Sequence, residues 1–145
     1  MPIFVDTDNS NASDKLYNGS KAGTSAGKAE AKMQATVKRL IDKAPGFTTT
    51  KMGNAKGYSI RLEISKLDTS NHKTQCTLSG SIVRYPKAVA MKGAGKGDEM
   101  VSLGWKGSAE STGTNEGAML DCVEAIIESM MKNGIATMNN DWPKR

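Results

Sequence analysis

Polar and apolar positions alternate most regularly between Tyr58 and Leu67. There Ile60, Leu62 and Ile64 point one way and Ser59, Arg61, Glu63 and Ser65 the other, the period of a half-buried strand. Asp68 to Asn71 reads as a hairpin connection. Lys73 to Tyr85 is the return strand, with Cys76, Leu78 and Ile82 on its apolar face. Gly80 marks a bulge or a close backbone approach, and the adjacent Ile82 and Val83 break the alternation. A third alternating run, Glu99 to Ser108, carries Val101, Leu103 and Trp105 on its apolar side.

Two segments change period. From Ala29 to Ala44, Met33, Val37, Leu40, Ile41 and Ala44 fall on one helical face, and Pro45-Gly46 ends the helix. Phe47 to Thr50 follows as a short strand. Ser111 to Glu116 supplies N-cap chemistry for a second helix over about Glu116 to Asn133, striped by Met119, Val123, Ile126, Ile127 and Met130. Gly134 is expected to stop it, and Ile135 to Met138 to form a last short strand. Each strand has one apolar face and each helix one apolar stripe. These elements predict an α+β fold in two layers, an antiparallel sheet of four to five strands with both helices on one face, in the order α-β-β-β-β-α-β.

The flanks differ in composition. Asp6 to Lys28 is rich in Asn, Ser, Gly, Asp and Lys, with too little to bury to offset the entropy of ordering. Pro2-Ile3-Phe4-Val5 is an apolar, β-prone tip on that polar tether. Residues 1–28 therefore read as a flexible leader, or as an arm whose Ile3, Phe4 and Val5 dock on a sheet edge of the same or a neighbouring subunit. Residues 29–138 form a single domain and 139–145 a polar tail, in which Trp142 is an interface anchor.

The chain has 145 residues and a formal net charge of +5. Most of the positive charge is Lys, dispersed in ones and twos, whereas base-reading surfaces favour Arg. The most basic local surface is the loop with Lys87, Lys92 and Lys96, to which Lys106 adds; these four are anion-binding candidates. Gly93 to Gly97 within it lacks the Ser or Thr and the helix of a phosphate loop. The open sheet face is mostly Ser and Thr and offers no aromatic platform for bases, so nucleic acid ranks behind protein as a partner.

The single His, His72, lies in the hairpin turn with no expected nucleophile nearby. One His and two separated Cys match no metal-ligand spacing. Cys76 and Cys122 are either two buried thiols or one disulfide tying a strand to a helix. No catalytic residue, metal or cofactor is expected. No apolar run reaches the roughly 20 residues that span a bilayer. Met1 to Val5 is too short for a signal, so the chain reads as cytoplasmic as written, and as periplasmic or secreted if a native signal was removed.

The order helix, antiparallel strands, helix, together with Asp121 to Glu128 in the last helix, Gly80 to Val83 in a strand and the Tyr85-Pro86 exit, resembles small α+β domains of bacterial envelope proteins, the TolB N-terminal and LpoB-like domains. The resemblance spans about Ala29 to Met138. It implies a non-enzymatic domain in the periplasm that works through protein contacts. Residues and resemblance together point to a protein-binding or self-assembly module, a homo-oligomer with itself as partner; the alternative is a nucleic-acid or anion binder.

Overall fold

A computed structural model describes residues 2–7, 22–53, 55–70, 72–86, 100–113 and 115–145. The elements are β1 (Ile3–Asp6), α1 (Ala22–Lys43), β2 (Phe47–Thr48), β3 (Gly57–Ser70), β4 (Lys73–Tyr85), β5 (Met100–Thr112) and α2 (Glu116–Asp141). A 3₁₀ turn, Trp142–Lys144, follows α2. The fold is α+β, a five-stranded sheet in the order β2-β1-β3-β4-β5 with the helices packed on it.

The sheet is mixed rather than wholly antiparallel. β3, β4 and β5 form antiparallel ladders, whereas β1 runs parallel to both β2 and β3. Connectivity explains this: α1 joins β1 to β2, and a helical crossover returns the chain to the same end of the sheet. The apolar N-terminal tip thus lies inside the sheet of its own chain. Ile3 and Val5 belong to the core, and the Ile3 amide donates to the Gly46 carbonyl at 2.7 Å, just beyond α1. The structured region begins before residue 29.

α1 buries Ala29, Met33, Val37 and Ile41. Gly46, at φ 83°, takes the left-handed conformation that turns the chain into β2. Along β3 the apolar face is as expected, with Ile60, Leu62 and Ile64 buried. On the opposite face Ser59 departs from expectation: it is buried beside β1, within 3.4 Å of the Asp6 carboxylate. The irregular pairing of β4 with β5 falls at Gly80, Ile82 and Val83, where the alternation slips. A Cβ on Gly80 would stand 2.7 Å from Leu62 and 2.8 Å from Trp105, so a close approach requires glycine there. The side chains of Ser102 and Leu103 lie outside the described residues.

Gly134 does not end α2, and Ile135 to Met138 form no strand. The helix continues to Asp141. Gly134 is buried where the Trp105 ring packs, 2.8 Å from the position of a Cβ, and Met138 carries the buried stripe one turn further. The glycine serves helix–sheet contact rather than termination. At the other end Asn115 caps the helix, its side chain accepting from the Ala118 amide at 2.8 Å. Cys76 and Cys122 are bonded, joining β4 to α2. Lys28–Glu116, Lys32–Glu124 and Arg39–Glu128 ion pairs lace α1 to α2. These pairs are half-buried to exposed, and each contributes at most about 1 kcal/mol.

Candidate functional site

Alternation along β1 sends Ile3 and Val5 to the helices and leaves Phe4 on the other face. Phe4 pairs in register with Gly57, and Gly57 with Tyr85. Because Gly57 has no side chain, the Phe4 and Tyr85 rings meet edge to face across it, centroids 5.0 Å apart. A Cβ on Gly57 would be driven into the Phe4 carbonyl, so this close approach admits only glycine.

The C-terminal segment reaches the same end of the sheet. Trp142 packs edge to face on Tyr58 at 6.1 Å. The Arg145 guanidinium lies 5.3 Å from the Tyr58 ring and 5.5 Å from that of Trp142. It donates to the Gly57 carbonyl and, at 3.3 Å, to the Tyr85 carbonyl. Tyr58 itself is fully buried and donates its hydroxyl to Asp141 Oδ2 at 2.7 Å. Arg84 donates to both oxygens of that carboxylate, at 3.2 and 2.8 Å. The Arg84 contact, supported by the Tyr58 hydroxyl, holds the Asp141 carboxyl below its ordinary pKa even though burial opposes the shift. Burial foremost, and then Asp141, pushes the Tyr58 hydroxyl well above the ordinary phenol range. These titratable groups are engaged in fastening the chain's end to the sheet.

Both termini and the β2–β3 connection frame a groove of about 370 Å³. Met52 and the half-buried Trp142 supply its large apolar surfaces, the almost fully buried Phe4 borders it, and Pro2, Ala55, Thr48, Thr50 and Lys56 complete the lining. Met52 is 75% exposed, the one large hydrophobic side chain among the described residues that stands in solvent. Lys56 lines the groove, Lys51 lies over the Tyr85 ring within the field of Asp6, and the Arg145 guanidinium lies over the Trp142 ring, so positive charge borders this end of the molecule. The groove thus combines an apolar lining with bordering positive charge.

Of the residues singled out from the sequence, Phe4 and Trp142 come together here, while Ile3 and Val5 face the core. Met52 and Lys56 were not singled out, because a methionine in a polar turn carries no periodic signal. Lys87, Lys92 and Lys96 lie outside the described residues, and Lys106 stands exposed on β5 at the far edge of the sheet. His72 is exposed in the β3–β4 turn with φ 62°. Among the described residues, no group of three His, Cys, Asp or Glu side chains could hold a metal, and no helix is long and apolar enough to cross a membrane.

No family model matches the chain, and no curated protein does. Among solved structures, the chain is similar to protein XCC0632 from Xanthomonas campestris, of the family described as DUF330. The identity is 10% and the TM-score 0.54, over 98% of this chain and 88% of that one. At that identity the likeness speaks for the fold alone.

Proposed function

We propose that the chain is a non-enzymatic protein-binding module whose partner surface is the groove between Phe4, Met52 and Trp142. Its occupant is a segment of another protein with an apolar anchor flanked by acidic residues. The observation that carries this reading is Met52, a large apolar side chain kept in water beside two aromatic rings. Met52 gains weight from its place in a groove that Phe4 and Trp142 also line, because aromatic and methionine side chains are enriched at interface cores. The basic rim selects the charge of the occupant. The bond between Cys76 and Cys122 supports an oxidising compartment, the periplasm implied by the sequence resemblance, because cytosolic reductants keep thiols apart.

Fluorescence anisotropy tests the reading with three labelled peptides: Leu-Phe between Glu pairs, the same with Lys for Glu, and the same with Ala for Leu-Phe. The first is expected to bind at least tenfold more tightly than the others, a difference of about 1.4 kcal/mol. Met52→Glu is expected to abolish the difference. Equal binding by all three peptides, or none at millimolar concentration, contradicts the proposal.

A further inference from the structure

The opposite edge of the sheet carries a second, independent feature. β5 is a terminal strand of thirteen residues, paired on one side only among the described residues. A long edge of this kind presents a row of backbone donors and acceptors ready to pair with another strand. On the open sheet face β5 shows Lys106, Ser108 and Glu110, all exposed. Gly107 and Ala109 alternate with them and are small. Glu110 accepts an ion pair from Lys73 at 3.3 Å, whereas Lys106 has no ion-pair partner among the described residues.

We infer that two copies of this chain pair through β5, antiparallel, about a two-fold axis through Ser108. The charge pattern selects this register. Residues directly opposite in an antiparallel pair share a face, so the axis sets Lys106 of each copy against Glu110 of the other. One strand thus carries both halves of two equivalent ion pairs, the self-complementarity a two-fold interface requires. Gly107 meets Ala109 at the centre, which lets the backbones close without a bulky side chain between them.

The helical layer accommodates the arrangement. α2 lies over β4 and β5, so continuing the sheet brings two α2 helices side by side. Glu116, Glu124 and Glu128 face α1 through their ion pairs. The 3.6-residue period puts Ser129, Asn133 and Ala136 on the opposite flank, exposed, short and uncharged. The result is a continuous ten-stranded sheet with four helices on one side. The groove lies at the other end of the strand order, and this inference does not depend on it.

Sedimentation velocity of the full, oxidised chain from micromolar to millimolar concentration tests the pairing. A monomer–dimer equilibrium is expected. Lys106→Glu and Glu110→Lys each place like charges across the axis twice, and each is expected to weaken self-association at least tenfold. An equimolar mixture of the two variants restores both ion pairs and is expected to form a heterodimer with affinity near that of the unmodified dimer. A wild-type chain that stays monomeric throughout overturns the inference and leaves Lys106 as a guard against edge pairing. So does a dimer indifferent to both reversals, or a mixture that does not associate. Should either variant misfold, β5 amide exchange in the wild-type chain decides: protection that rises with concentration supports pairing, and constant protection refutes it.

Discussion

Gly134 is buried against the Trp105 ring inside α2. In an exposed helix Gly134→Ala would stabilise by about 1 kcal/mol. Here the added methyl meets a rigid indole 2.8 Å away, held by its hydrogen bond to the Met130 carbonyl. Overpacking of this kind costs about 1–3 kcal/mol and decides the sign, so thermal melting of Gly134→Ala is expected at a lower temperature than wild type. The residue also shows why sequence reading stopped short. Glycine punctuates helices far more often than it lines them, yet Met130, Gly134 and Met138 keep the four-residue step of the buried stripe. Asp141 gives a second prediction. Its carboxyl is held below the ordinary value, so its contribution is present above about pH 4 and is lost as pH falls through the depressed folded pKa. Asp141→Asn is expected to lower stability at neutral pH by roughly 1–3 kcal/mol and to flatten that acid limb, as read by urea unfolding at several pH values.

The elements were legible where their period was strong. The centres of β3, β4, β5 and both helices follow from local pattern, but their ends do not: α1 starts at Ala22, α2 runs on to Asp141, and Ser111 and Thr112, which read as cap chemistry, belong to β5. β1 was not legible, because four apolar residues at the head of a polar stretch do not reveal which strand receives them. Pairing of distant segments is a property of the whole chain. Cys76 and Cys122 were open to two readings for the same reason: strand and helix were visible, but not their contact. The bond closes a loop with a sequence separation of 46 residues. Chain-entropy arguments assign such a loop up to about 4 kcal/mol. Calorimetry with and without reductant is expected to show a markedly lower melting temperature on reduction, with Cys76→Ala matching the reduced protein. Unchanged melting would mean that the core alone holds β4 against α2.

On the scale of the molecule, both ends of the chain build one pole. Ile3, Phe4 and Val5 are buried, each worth about 1.5–3 kcal/mol, a sum comparable with the whole stability of a domain. Removing residues 1–7 is therefore expected to leave a largely unfolded chain by circular dichroism, where a dispensable leader would leave the melt unchanged. The groove was half legible. Phe4 and Trp142 stood out as apolar residues in polar surroundings, but their meeting depends on β1 entering the sheet and α2 running to Asp141. Met52 joins them only through the β2–β3 connection. Because Met52 is exposed at that groove while Met33, Met131 and Met138 are buried in the core, methyl-labelled methionine NMR separates surface from interior directly. Titration with the acidic Leu-Phe peptide is expected to shift the Met52 resonance progressively and leave those three in place. A Met52 resonance that does not move at saturating peptide would contradict a partner-binding groove at this pole.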